Sequence, residues 1–303
     1  MSLPPVSVVL NEVIEALGRA PQVLLHPPTG AGKSTWLPLK LLEMGGFSGR
    51  IILLEPRRLA AKNVAGRLAE QLGETPGGTI GYRMRAETRV GPQTRIEVVT
   101  EWVLTRMLQR DAELTGVSLV ILDEFHERSL QADLALALLL DVQQGLREDL
   151  ALLIMSATLD NARLAALLPT AETVVSQGRA FPVDRNYQPL GNQERLEEGI
   201  ARQIRRLLTE QPGSALVFLP GVAEIKRVEA MLQETLTYQQ KAILPAAPGR
   251  RKVVLSTNIA ETSLTIEGIR LVVDSGLERV ARFDVKSGLT RLVTQHISQA
   301  SMT

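Results

Sequence analysis

An α/β fold with mostly parallel sheets is what this sequence predicts, on three observations. Short β-branched or leucine-rich runs alternate with longer segments of helical periodicity, which is the signature of βαβ units. Hydrophobic residues make up 45% and charged residues 22%, the balance of a globular chain with enough apolar surface to bury a core. At 303 residues the chain is longer than one ordinary domain and suits two of roughly 150 residues each.

Strands are expected at 22–26, 50–55, 95–100, 118–122 and 151–155, with helices at 33–43, 58–72, 101–109 and 131–144 between them. That order is the order of a doubly wound sheet. Near Gln177 the stretch QGRAFPVDRNYQPLGNQ gathers Pro, Gly, Asn and charge and loses helical periodicity, so the first domain is set at 1–178 and the second at 179–303. The pattern then restarts with a helix at 194–208, a strand at 215–219, a helix at 222–234 and strands at 252–256 and 269–274. The second domain looks short, and it is expected to be incomplete in this chain.

A net charge of +1 excludes a strong global field, so any polyanion must be met by a local basic patch. The positive set is 7 Lys against 27 Arg, and planar guanidinium groups suit bidentate contact with phosphate. Cysteine is absent, which rules out a disulfide framework and suits a reducing cytoplasm. The start MSLPPVSVVL has no basic n-region, and no apolar run approaches the roughly 18 residues that cross a bilayer.

The strand ending at His26 runs into Pro27, Pro28, Thr29, Gly30, Ala31, Gly32, Lys33, Ser34 and Thr35 and then into a helical pattern, the strand, loop and helix context of a Walker A loop. Gly30 and Gly32 let backbone N–H groups turn inward around phosphate oxygens, Lys33 reaches the β- and γ-phosphates, and Ser34 holds Mg²⁺. Pro27 stands where the strict pattern opens on glycine.

A second buried-strand pattern, Leu119 to Leu122, ends in Asp123, Glu124, Phe125 and His126. It places two carboxylates at the carboxyl end of a strand, where open α/β sheets bind ligands. Asp123 fits the position that supports Mg²⁺, and Glu124 the group that orients or deprotonates attacking water. An isolated Asp-Glu after a strand is a solvated turn; paired with a Walker A lysine it reads as the other half of a nucleotide site. His126 can relay the state of the γ-phosphate, since a neutral imidazole both donates and accepts. Ser156 and Thr158 follow the next apolar strand and turn their hydroxyls towards the same edge as coupling residues.

Together, PPTGAGKST, EPRRLAA from Glu55, TEWVLTRML from Thr100, DEFH, SAT, FLPG from Phe218 and STNIAETSLTI from Ser256 resemble the DEAH-box helicases of superfamily 2 over nearly the whole chain. The resemblance implies two RecA-like domains with ATP and Mg²⁺ between them and a single strand of RNA, with DNA left open, crossing both. By the same resemblance Arg57, Arg58 and Thr100 hold strand phosphates from the first domain and Thr257, Asn258 and Thr262 from the second, contacts that position without reading sequence. Movement is expected 3′ to 5′, by a monomer.

The departures from the family carry expectations of their own. Arg67 and Leu244 stand where the family clamps adenine between an arginine and an aromatic, so ATP, GTP, CTP and UTP are expected to be poorly distinguished. Trp102 replaces a usual glycine; an indole near the strand path can pack on a base or fill a gap, and the structural role is the one expected, since large aromatics are mostly structural. The segment between Gly221 and Lys241 is shorter than in the family, and the sequence stops before the family's arginine-finger segment. A finger is worth about 10³ to 10⁵ in turnover, so this stretch by itself is expected to bind nucleotide and hydrolyse it slowly, and the full-length protein to be competent. The alternatives are a nucleotide-gated RNA-binding module with little hydrolysis, and another P-loop class such as a kinase or transporter ATPase, for which no second-substrate or lid pattern is seen.

Overall fold

The structure, a computed structural model, describes residues 4–26, 33–125, 129–157, 162–176, 184–233, 249–257, 268–284 and 289–296. The chain divides into two compact units, Met1–Pro182 and Val183–Thr303.

In the first unit one sheet is formed by β1 (Gln22–His26), β2 (Arg50–Leu54), β3 (Ile80–Met84), β4 (Glu87–Arg89), β5 (Ile96–Val99), β6 (Val117–Leu122), β7 (Ala151–Met155) and β8 (Glu172–Val175). Its order is β4-β3-β5-β2-β6-β7-β1-β8. Every neighbouring pair is parallel except β3 with β4, which form an antiparallel edge hairpin.

Parallel strands with helical crossovers are covered on both faces, so their residues are apolar without a break and alternate between two cores. Val23, Leu25, Ile51, Leu53, Leu119 and Ile121 face one core, built with α1 (Leu10–Arg19), α2 (Lys33–Met44) and α3 (Arg58–Gln71). Leu24, Ile52, Leu54, Val120 and Leu122 face the other, built with α4 (Glu101–Arg110), α5 (Leu130–Gly145) and α6 (Ala162–Leu167). Pro38 lies inside α2 and is buried there; lacking an N–H, it cannot close the turn onto the Ser34 carbonyl.

The expected strands are all present, with ends shifted by a residue or two in some cases. The sequence reading omits α1, β3, β4, α6, β8 and a short 3-10 helix at Pro5–Val9. The two edges of the sheet account for β4 and β8, because β4 is Glu-Thr-Arg and β8 has two of its four residues exposed, leaving little apolar alternation to read. β3 is broken by Gly81, where a Cβ would stand 2.6 Å from the Arg89 carbonyl oxygen across the hairpin. One charge interrupts an otherwise apolar strand: Glu97 in β5 is 1% exposed and is held by Arg50 at 2.5 Å and Arg83 at 2.9 Å.

In the second unit β9 (Ser214–Phe218), β10 (Val253–Ser256) and β11 (Ile269–Asp274) form a parallel sheet in the order β10-β9-β11. Helices α7 (Leu196–Glu210) and α8 (Val222–Leu232) cover it through Ile200, Ala201, Ile204, Val228 and Leu232. An antiparallel hairpin, β12 (Leu277–Asp284) with β13 (Leu289–His296), follows and was not foreseen. Among the described residues, no helix is long and apolar enough to cross a membrane.

Candidate nucleotide site

Because β2, β6, β7 and β1 are parallel neighbours, their carboxyl ends form one edge of the first sheet. Glu55 follows β2, Asp123 follows β6, Ser156 follows β7, and Lys33 opens the helix after β1. The Asp123 N–H donates to the Leu54 carbonyl at 3.1 Å and the Ser156 N–H to the Leu25 carbonyl at 3.1 Å, so both residues leave their strands still tied to the sheet. The His26 ring Nδ1 lies 3.0 Å from the Ser156 carbonyl, a further link between the ends of β1 and β7.

Lys33 Nζ stands 3.3 Å from Asp123 Oδ1 and 2.8 Å from Glu124 Oε1. One ammonium therefore bridges two carboxylates that adjoin in sequence, and it does so with little solvent access: the Lys33, Asp123 and Glu124 side chains are 15%, 2% and 11% exposed. Glu124 takes a φ of 53°, the left-handed region that a side chain rarely adopts at a cost of about 1–3 kcal/mol. Its N–H donates to Asp123 Oδ1 at 2.8 Å, and the neighbouring Phe125 is buried in the core beneath, so the surroundings hold the turn in that conformation.

Burial lowers the proton affinity of Lys33, but the carboxylates of Asp123 and Glu124 outweigh it and hold the lysine protonated well above its ordinary range. Burial likewise works to raise Asp123, yet the Lys33 ammonium, the Glu55 carboxyl and the Glu124 N–H keep it below the usual carboxylate value. Glu55 goes the other way. Burial pushes it well above the usual range, the charges of Asp123 and Glu124 add to that, and Lys33 opposes only in part. Glu55 thus keeps its proton to higher pH than an ordinary carboxyl, lying against Asp123, with its Oε1 lacking a hydrogen-bond partner among the described residues.

A raised carboxyl contributes stability in full below its unfolded value near 4.5 and loses it as the pH climbs towards the folded value. Glu55→Gln, neutral at every pH, is therefore expected to raise the melting temperature of the nucleotide-free protein at pH 7–8, with the gain shrinking towards pH 4.5. Melting curves across that range test it; a gain independent of pH would show that Glu55 is ionised as usual. Glu55 reads in the sequence as the end of a strand, and a carboxylate closing an apolar run is the signal that marks it.

Of the other candidate residues, Ser34 and Thr35 lie in the first turn of α2, and the Thr35 carbonyl accepts from Gln71 Nε2 at 2.5 Å. Gln71 is one helical turn beyond Arg67, so Arg67 shares the α3 face that meets the start of α2. Arg57 is the residue before α3 and is half-buried, Arg58 is exposed, and Thr100 is buried at the start of α4. Thr257 follows β10 in the second unit. Thr29, Gly30, Ala31, Gly32, His126, Thr158, Leu244, Asn258 and Thr262 lie outside the described residues. Trp102 departs from expectation: it is 48% exposed rather than packed, because α4 turns Val103, Leu104 and Leu108 into the core and leaves position 102 on the outer face.

Donors around Asp123 and Ser34 are hard oxygens, a carboxylate and a hydroxyl, the kind Mg²⁺ takes when it keeps several waters and shares phosphate ligands.

Comparison with known proteins bears on the same region. The family profile described as DEAD/DEAH box helicase matches residues 9–167. The chain is 65% identical over 318 residues to the ATP-dependent RNA helicase HrpB of Escherichia coli (strain K12), covering 100% of this chain and 39% of that protein. It is 35% identical over 317 residues to the ATP-dependent RNA helicase HrpA of the same organism, covering 98% of this chain and 24% of that protein. A crystal structure of the Escherichia coli DEAH/RHA helicase HrpB matches with a TM-score of 0.92 at 64% identity, over 99% of this chain and 40% of that one. The chain thus spans about two fifths of the length of HrpB and about a quarter of HrpA.

Proposed function

The chain belongs to the DEAD/DEAH box helicase family, and from that premise we propose that the protein is an ATP-dependent helicase that moves 3′ to 5′ along a single strand of RNA. The observation that carries this reading is the Lys33 ammonium bridging Asp123 and Glu124 at one sheet edge. A lysine so placed can exchange carboxylate oxygens for phosphate oxygens, and the carboxylates then become free to act on metal and water.

In this reading Thr29, Gly30, Ala31, Gly32, Lys33, Ser34 and Thr35 receive the phosphates, and Arg67 and Leu244 bracket the base. Ser34 and Asp123 would hold Mg²⁺, which would supply positive charge to the phosphates. Glu124 orients the attacking water and takes its proton, so that ATP and water give ADP and phosphate. His126, Ser156 and Thr158 couple that chemistry to the strand-holding residues Arg57, Arg58, Thr100, Thr257, Asn258 and Thr262. Domains at 1–178 and 179–303 and a cytoplasmic location belong to the same proposal. The RNA preference is supported by the names of the relatives HrpB and HrpA.

The deciding experiment is an ATPase assay of the whole protein with poly(A) RNA, matched single-stranded DNA and no nucleic acid. Turnover is expected to rise with RNA. A rate indifferent to either nucleic acid overturns the helicase reading in favour of another P-loop class. Strand affinity should also fall with salt, with a slope of about 0.7 per phosphate contact, and Arg57→Ala should remove about one such contact.

A further inference from the structure

Trp102 opens the first turn of α4, directly after β5, and Arg106 stands one turn further on the same helix face. Arg85 lies in the turn that joins β3 to β4, and β3 is the parallel neighbour of β5. The three side chains meet: the Arg85 guanidinium carbon is 5.7 Å and that of Arg106 5.5 Å from the indole centroid. Both arginines are exposed, and among the described residues neither is paired with a carboxylate. Their distances fall within the roughly 6 Å reach of cation–π attraction.

The position of this trio along the sheet edge gives it a direction. In the order β3-β5-β2, Arg85 follows the first strand, Trp102 the second and the Arg57–Arg58 pair the third, a basic row with an aromatic in the middle. Adjacent strands are about 4.8 Å apart, so the row runs about 10 Å across three strands. On the far side of β2 the same edge carries Asp123, which separates this row from the nucleotide residues. An indole left half open between two exposed cations that no described carboxylate pairs is matched in charge and shape by a flexible polyanion with flat apolar groups, which is single-stranded nucleic acid.

We propose that Trp102 is a stacking platform for one base of the bound strand, with Arg85 and Arg106 taking the phosphates on either side. The proposal rests on the strand-binding reading above and gives it a contact to a base where that reading has contacts to phosphates alone. Every base has a π-face, so the platform holds the strand without reading its sequence.

The test measures the affinity of the whole protein for two fluorescent oligonucleotides of equal length, oligo(U) and an abasic strand with the same phosphates. Trp102→Ala is expected to weaken oligo(U) binding by about 5- to 150-fold, the alanine-scan worth of one stacked base, and to leave the abasic strand unchanged. Trp102→Phe should recover most of the loss, because a phenyl ring still offers a face. Arg85→Ala and Arg106→Ala should weaken both strands and each reduce the salt slope by about one phosphate contact. If Trp102→Ala weakens both strands equally, the indole only positions the two arginines, and the platform is wrong. Unchanged oligo(U) affinity in that variant also overturns the platform while leaving the helicase reading intact. Failure of the unsubstituted protein to bind oligo(U) at all would remove both together.

Discussion

Replacing Lys33 by alanine is expected to cut nucleotide turnover by about 10² to 10³ and to destabilise the protein in the same stroke. The two effects have different origins. Turnover falls because the cation aimed at the β- and γ-phosphates is gone, a loss comparable to removing a preorganised charge-stabilising donor, about 10² to 10³. Stability falls because Asp123 and Glu124 lose the ammonium that neutralises them at 3.3 and 2.8 Å, beside a third buried carboxyl at Glu55. Breaking a buried pair by removing one partner costs about 3–5 kcal/mol, and that is roughly 6 to 20 °C in melting temperature for a unit of this size. The melting loss should be larger at pH 8 than at pH 5, where proton uptake by the orphaned carboxylates relieves it. Thermal melts and ATPase rates on Lys33→Ala decide the matter: turnover within tenfold of the parent sinks the assignment of the site.

Glu124→Gln should separate chemistry from binding. The amide keeps an oxygen for Lys33 and the same shape at a φ of 53°, so the turn and the nucleotide affinity are expected to survive within a few fold. What it cannot do is accept a proton, and turnover should fall by about 10² to 10⁴. Equilibrium binding of a fluorescent ATP analogue, read beside steady-state hydrolysis, distinguishes the outcomes. Near-normal hydrolysis in the variant would move the base to another residue.

The inner strands of the first sheet were legible because their physics is simple. A parallel strand covered on both faces must be apolar throughout, and runs such as those of β1, β6 and β7 admit few other readings. The pair Lys33 and Asp123 was legible for a related reason, since each lies next to such a run at its carboxyl end. Edges were not. β4 and β8 satisfy only one side of their hydrogen bonding and carry exposed or charged residues, so their short sequences look like loop. The N-terminal helix α1 carries a legible apolar stripe, Leu10, Val13, Ile14 and Leu17.

Side-chain environments were harder still. The sequence shows Glu55 closing a strand but not that burial, and Asp123 sixty-odd residues later folding against it, would raise its proton affinity. It shows Trp102 at an unusual position, and composition favours burial for so large an aromatic. Only the phase of α4, fixed by Val103, Leu104 and Leu108, turns the indole outward.

One short stretch of chain ties the two halves of the sheet edge together. Glu55 touches Asp123, proposed for the nucleotide side, Arg57 is proposed for the strand-holding side, and Pro56 is all that separates them. Proline locks its own φ and confines the residue before it to extended backbone, so these three residues act as a stiff lever no more than about 7 Å long. Whatever tilts the carboxyl at one end has almost no slack in which to dissipate before it reaches the guanidinium at the other.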